Sequence, residues 1–183
     1  MKTYLPILLD ISNKDILLIG GGKSALEKLR TLSQLNKKVR VISDVFLEEF
    51  RRYDFLELIE RKYETGDMDP YSVIYCGIND PEEEYKIFLE ARKKGKLINF
   101  IDQVDSSDFI SASSLIYSNF TIFISTYGKS PGGAKMIREE IENKMNLSQI
   151  NSYVGKLAEE RLLKKQKSNS GVRDYATTSS YQI

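Results

Sequence analysis

The stretch ILLIGGGKSALEKLRTL, residues 16–32, decides the fold of this 183-residue chain. An apolar run ends at Gly20, Gly21 and Gly22, and the apolar residues that follow have helical spacing. A buried strand, a glycine turn and a helix together place backbone N–H groups at a helix N-terminus with no Cβ in the way. The turn is suited to the pyrophosphate of a dinucleotide, although three glycines can also serve only a sharp turn.

Two further features support the dinucleotide interpretation. The glycines and the residues after them satisfy the pattern G-x-G-x-x-[GA], in which Lys23 and Ser24 precede the small residue Ala25. An acidic residue, Asp44, follows the second strand, where it could bind an adenosine ribose. A carboxylate at that position favours NAD over NADP.

Strand and helix patterns alternate through the first part of the chain. Apolar or alternating runs predict five strands, and helical spacing between them predicts three helices; the strands are at 15–20, 37–43, 55–61, 71–77 and 96–102, and the helices at 23–35, 45–53 and 81–95. Strands separated by such connections predict an α/β fold with a Rossmann-type parallel sheet.

The pattern changes after residue 102. A polar, serine-rich stretch at 103–114 predicts a loop or boundary, followed by a strand at 119–126, a helix at 130–145 and another at 147–165. From Lys164 onward no core-forming pattern remains, so we expect a mobile tail. We therefore predict three parts: an NAD-binding Rossmann domain at 1–112, a separate segment at 113–145 and a short helical region at 146–183.

Polar and small residues at strand ends provide further candidates. Gly77 would let backbone approach a ligand at the carboxyl edge of the sheet, but a plain turn with Asn79 or Asp80 as helix N-cap explains the same residues. Asp102 ends the strand LINFID and could accept a proton beside a nicotinamide. The commoner fate of such an aspartate is to close a turn.

The segment STYGKSPGGAKMIREE, residues 125–140, is the last candidate region. Its turn, from Thr126 to Ser130, is rich in hydroxyl groups, and Lys129, Lys135 and Arg138 could together bind a polycarboxylate. The alternative is a solvated helix face that glutamates neutralise.

Composition excludes several classes of protein. The chain has 27 Lys and Arg against 26 Asp and Glu, so no overall field would attract nucleic acid or an anionic membrane. Cys76 is the single cysteine and histidine is absent, so we expect no disulfide framework and no resident metal. No apolar run approaches the length of a membrane span, and we expect a cytoplasmic protein.

Several segments, in this order, resemble precorrin-2 dehydrogenase, the NAD-dependent module of sirohaem synthases. They are YLPILLDISNKDILLIGGGKSALEKLR, VRVIS, GINDP, INFID and ISTYGKSPGGAKMIREEIE, and the resemblance spans about residues 4–145. It implies oxidation of precorrin-2 to sirohydrochlorin with NAD as cofactor, a tetrapyrrole substrate and a homodimer. It also implies that residues 113–145 form the segment that mediates dimerisation and lines the tetrapyrrole cleft. In bifunctional members the same protein also inserts iron, so a ferrochelatase activity is left open.

The resemblance also implies roles for matching residues. Asp102 would be catalytic, Thr126 would lie near a turn lining the tetrapyrrole cleft, and the cofactor would lie along Lys23, Ser24, Asp44, Val45 and the loop Gly77, Ile78, Asn79. Ser24 and the pair Gly77-Ile78 depart from the residues usual in this family. These departures and the weak C-terminal tail favour the alternative function, a non-catalytic NAD-sensing or assembly module with a Rossmann fold. Asp102 and the turn at Ser130-Pro131 favour the enzyme.

Overall fold

The computed structural model describes residues 2–35, 37–101 and 103–177. The chain divides into two compact units. The first consists of Met1–Ser111 and Ser125–Ser130, and the second of Ala112–Ile124 and Pro131–Ile183. The first unit ends one residue before the predicted boundary at 112 and also takes in the turn at 125–130. The assignment of an NAD-binding, a dimerisation and a helical part stays a prediction.

The first unit is built around a five-stranded parallel sheet with strand order β3-β2-β1-β4-β5. Helix α1 (Lys23–Leu32) follows the first strand and α2 (Pro81–Lys94) follows the fourth. The strands are β1 (Ile16–Ile19), β2 (Val39–Ser43), β3 (Leu56–Glu60), β4 (Val73–Cys76) and β5 (Leu97–Phe100). The predicted α/β Rossmann-type fold is confirmed.

Strand β1 explains why its sequence is apolar without alternation. Ile16 and Leu18 pack into one core cluster with Leu29 of α1, whereas Leu17 and Ile19 pack into a second cluster with Ile87 of α2. Both faces of the strand are therefore covered by helices, and all four residues are at most 2% exposed. The carboxyl end of this central strand leads directly into the glycine turn.

The connection between β2 and β3 differs from the prediction. The predicted helix at 45–53 is wrong, because the structure has only a short 3-10 helix, Glu48–Arg52, preceded by extended backbone at Leu47. The twelve residues from 44 to 55 are close to the shortest connection that can join two parallel strands, so any helix within it is short. Phe50 is the residue of this 3-10 helix that the core buries.

The second unit has an antiparallel hairpin and two helices. Strand β6 (Ser113–Ile116) pairs with β7 (Thr121–Ile124), and helices α3 (Pro131–Lys144) and α4 (Leu147–Thr177) follow. The prediction found β7 and α3 but treated the start of β6 as loop, because serines mask its short apolar pattern. It also ended α4 near residue 165, whereas the helix continues to Thr177. The last residues of the predicted tail, 178–183, lie outside the described residues.

Within the part of the chain that the structure describes, no helix combines the length and the apolar character needed to cross a bilayer.

Candidate functional site

The first two glycines of the turn are required by the protein itself. A Cβ on Gly20 would lie 2.4 Å from the carbonyl oxygen of Gly77, and the φ of Gly20 is +114°, which disfavours other residues. A Cβ on Gly21 would lie 2.2 Å from the carbonyl oxygen of Val45. The turn thus packs between the loop that follows β4 and the loop that follows β2. Packing alone explains why Gly20 and Gly21 are glycines, so neither residue is evidence for a ligand.

Gly22 is different, because a Cβ there would meet no atom within 4 Å. It is the N-cap of α1, it has no side-chain capping bond, and the first turn of the helix contains no acidic residue. Helix α2 has the opposite design, with the Asp80 side chain accepting from Glu82 N and Glu83 N and three glutamates in the first turn. The N-terminus of α1 therefore offers an open, positively polarised cradle for an anion, and a pyrophosphate fits it.

The end of β2 lies beside this cradle. Ser43 Oγ donates to Val45 O at 2.7 Å, and Leu47 N donates to Gly21 O at 3.0 Å, so the β2 loop is tied to the glycine turn. Asp44 and Val45 are both exposed, and Val45 keeps 70% of its surface. The predicted adenosine residues thus lie on the loop that contacts the glycine turn, with a carboxylate and an apolar surface accessible.

The loop after β4 lies on the other side of the turn. Gly77 N donates to Ile19 O at 2.8 Å, and a Cβ on Gly77 would lie 2.8 Å from Ile101 Cδ1. Ile78 is half-buried and Asn79 is exposed. Asp80, which the sequence analysis named with Asn79 as a candidate N-cap, caps α2. Gly77 to Asn79 can still line a ligand along the carboxyl edge of the sheet.

Asp102, the predicted catalytic residue, lies outside the described residues. Both neighbours are held by main-chain hydrogen bonds: Ile101 N donates to Cys76 O at 2.9 Å, and Gln103 N donates to Phe100 O at 3.1 Å. Ser107, which is 2% exposed, accepts from Phe100 N at 2.8 Å and lies 2.9 Å from Gln103 O. The loop after β5 is therefore folded back against its own strand and braced by a buried hydroxyl that the sequence analysis missed.

The turn at 125–130 packs on this loop. A Cβ on Gly128 would lie 2.5 Å from Val104 Cγ2, so a glycine is needed for the close approach. Thr126 Oγ1 donates to Ser130 O at 2.9 Å and accepts from Ser130 N at 3.1 Å, which closes the turn. The hydroxyl of Thr126 thus shapes the turn, while Lys129 remains exposed on its surface.

The two predicted cations of α3 have acidic partners within the second unit. Arg138 lies 3.5 Å from Glu139 and 3.1 Å from Glu142, and Lys135 lies 3.8 Å from Glu139. This is the neutralised helix face that the sequence analysis named as the alternative. The side chain of Lys135 is 68% exposed, so its ion pair is weak.

The single cysteine is buried, and the neighbouring Tyr75 is half-buried. Burial raises the pKa of the Cys76 thiol to about 12, so it stays protonated at neutral pH. Burial likewise raises the pKa of Tyr75, whose hydroxyl bonds to Ser111. No group of three or more Cys, Asp or Glu side chains among the described residues is arranged to hold a metal ion.

Several curated proteins are similar to this chain. Siroheme synthase of Nitrosomonas europaea is 29% identical over 160 residues, covering 85% of this chain and 33% of that protein. Siroheme synthase of Photorhabdus laumondii is 29% identical over 142 residues, covering 76% of this chain and 30% of that protein. The chain thus spans about a third of the length of these curated relatives.

A solved structure, SirC, precorrin-2 dehydrogenase, superposes with a TM-score of 0.69 at 21% identity, covering 87% of this chain and 80% of that one. It supports the fold. The resemblance inferred from the sequence is confirmed by these relatives. The family model described as "Putative NAD(P)-binding" matches residues 7–113, which is more than half of the chain, and the protein belongs to that family.

Proposed function

We propose that this protein oxidises precorrin-2 to sirohydrochlorin with NAD as the oxidant, a step of sirohaem synthesis. The observation that carries the proposal is the close approach, within the first unit, of the loops at the carboxyl ends of β1, β4 and β5. A Cβ on Gly20 would lie 2.4 Å from the carbonyl oxygen of Gly77, and a Cβ on Gly77 would lie 2.8 Å from Ile101 Cδ1. The turn at 125–130 packs against Val104 of the loop after β5. The glycine turn and the loop after β5 therefore lie at the same edge of the sheet, where ligands bind in folds of this kind.

The chain's own residues would hold the cofactor as follows. The pyrophosphate would lie on the backbone at Gly22, Lys23 and Ser24, and Asp44 with Val45 would contact the adenosine. Gly77, Ile78 and Asn79 would line the path toward β5. When bound, NAD supplies a hydride acceptor, which is chemistry that no side chain provides.

The substrate would meet the loop after β5 and the turn beside it. Oxidation of precorrin-2 removes a hydride and a proton, and Asp102 would accept the proton. Lys129 and Ser130 would bind carboxylates of the macrocycle from the turn. The same role for Lys135 and Arg138 stays a prediction from the sequence, since glutamates of α3 pair with both cations. Thr126 would act by closing the turn.

The proposal is tested by turnover. Purified protein with NAD and freshly generated precorrin-2, in the absence of oxygen, should form NADH and sirohydrochlorin in equal amounts, followed by their absorbance. A protein that binds NAD but forms no NADH would instead support the NAD-sensing module.

Cofactor choice is a separate prediction that rests on Asp44. Its exposed carboxylate should accept the ribose 2′-OH and repel a 2′-phosphate, so NAD should bind more tightly than NADP. In Asp44→Ala the preference should shrink because NADP binding improves. Calorimetric titration of both cofactors measures this, and equal affinities in the wild-type protein would refute the role of Asp44.

We also propose that the protein is a homodimer through its second unit. Among the described residues of that unit only Leu115, Ala134 and Leu147 are buried apolar side chains. Large apolar side chains stay exposed instead, namely Phe123, Met136, Ile137, Met145, Tyr153, Leu157, Leu162 and Leu163. A two-stranded hairpin with so small a core is marginal alone, so a second copy would supply the missing burial.

Sedimentation should therefore give about twice the chain mass of 21.0 kDa. Leu157, which is 47% exposed, lies on α4 at a 3-4-3 spacing with Leu147, Ile150 and Val154. Leu157→Glu should shift the protein toward monomer while leaving NAD binding by the first unit intact. A wild-type protein that sediments as a monomer at micromolar concentration would contradict the proposal.

A further inference from the structure

Tyr127 has an unfavourable backbone conformation. Its φ is +56°, and it is the only non-glycine residue there with a positive φ. L side chains rarely adopt this region, and asparagine or glycine would enter it at less cost. Strain that persists in a bulky residue points to a use for its side chain.

The ring of Tyr127 is both exposed and held. It keeps 56% of its surface, and it stacks on Tyr4 with ring centroids 6.3 Å apart and an interplanar angle of 24°. The Tyr4 hydroxyl is buried and has no hydrogen-bond partner within the described residues. Lys2 anchors the same N-terminal segment by donating to Val104 O at 3.0 Å and to Ser107 O at 2.7 Å. The two rings thus form a braced aromatic surface.

This surface borders the proposed active site. Tyr127 lies between Thr126, which closes the turn, and Gly128, which packs on Val104 of the loop after β5. Lys129, two residues further, is exposed on the same turn. A flat aromatic face and a cation are therefore adjacent, which suits a planar conjugated ring that carries carboxylates.

We propose that the stacked pair of Tyr127 and Tyr4 is a platform for one face of the tetrapyrrole, with Lys129 binding a peripheral carboxylate. The inference rests on the proposed function and adds to it a contact that selects flat, anionic macrocycles. Because the two rings already contact each other, binding the macrocycle would cost little side-chain conformational entropy. The strained backbone of Tyr127 is then explained by the direction in which it presents the ring.

The test measures binding of the stable product, sirohydrochlorin, by equilibrium dialysis with visible absorbance. We expect Tyr127→Gly to weaken this binding about tenfold, the scale of one aromatic stacking contact, while NAD affinity stays unchanged. Tyr127→Asn, which also tolerates the backbone, should behave alike, and Tyr127→Phe should stay within about threefold of the wild-type affinity. The melting temperatures of the glycine and asparagine variants should lie at most a few degrees below that of the wild type, because the relief of backbone strain offsets the lost ring contact.

Tyr85 offers a matched control. It is 61% exposed and stacks on Phe88 with centroids 6.4 Å apart and an interplanar angle of 18°, but it lies on α2. Tyr85→Asn should leave sirohydrochlorin binding unchanged. The platform is refuted if Tyr127→Gly and Tyr127→Asn bind sirohydrochlorin as tightly as the wild type does. Failure of the wild-type protein itself to bind sirohydrochlorin while it binds NAD would overturn the proposed function, and the platform with it.

Discussion

Asp102→Asn should lower precorrin-2-dependent NADH formation by about 10²–10⁴-fold, the usual contribution of a positioned general base. Asparagine keeps the shape of the side chain and one hydrogen-bonding oxygen, but it removes the charge and the basicity. NAD affinity and the melting temperature should therefore stay nearly unchanged. The measurement is anaerobic turnover at saturating NAD, together with thermal unfolding of the same sample.

Asp105→Asn is the matched control, because Asp105 is an exposed carboxylate in the 3-10 helix of the same loop. It should keep normal turnover. If Asp102 only closes a turn, Asp102→Ala should lower the free energy of unfolding by about 0.5–2 kcal/mol, as the loss of a capping side chain does. Asp102→Asn should in that case still form NADH from precorrin-2. Near-normal turnover in Asp102→Asn would end the catalytic assignment.

Gly22→Val should weaken NAD binding by about 100-fold or more, since two charge-assisted hydrogen bonds to a phosphate are worth about 3 kcal/mol. The branched side chain would occupy the space that the pyrophosphate needs. The fold should survive, because Gly22 has φ −89° and ψ −170°, a conformation that valine adopts readily, and its Cβ would meet no atom within 4 Å. Calorimetric titration with NAD and a circular dichroism spectrum give the two readouts.

The neighbouring glycine provides the contrast. Gly21→Ala would place a Cβ 2.2 Å from the Val45 carbonyl oxygen, so this smaller substitution should lower the melting temperature strongly. Gly22→Val would then lose NAD binding while it stays folded, whereas Gly21→Ala would lose stability. A folded Gly22→Val that binds NAD like the wild type would show that the phosphate does not use this turn.

The central part of the fold was predictable because its physics is local. The run 16–19 lacks polar alternation, as a strand covered on both faces must, and the charges of α2 match its dipole while Asp80 caps it. The motif around Gly20 to Ala25 lies at the carboxyl end of β1, as the sequence predicted, and its role in binding a cofactor stays a prediction. These signals need no knowledge of distant contacts.

The parts that could not be predicted depend on tertiary geometry. Residues 45–53 have helix-like apolar spacing, but the short connection between two adjacent strands contains only a 3-10 helix, Glu48–Arg52. The role of Thr126 became visible only through its bonds to Ser130, and the buried brace at Ser107 carries no sequence signal beyond being one serine among several. Likewise, only the structure separates Gly22 from Gly20 and Gly21.

That separation changes how the glycine motif should be interpreted across evolution. Selection for a foldable protein alone would preserve Gly20 and Gly21, since backbone carbonyls of Gly77 and Val45 leave no room for a Cβ. A descendant that had lost its cofactor would keep both and still match most of the motif. Gly22 would then be free to drift to larger residues. Substitution at that single position, in an otherwise intact turn, is therefore the expected genetic mark of a degenerate, cofactor-free paralogue.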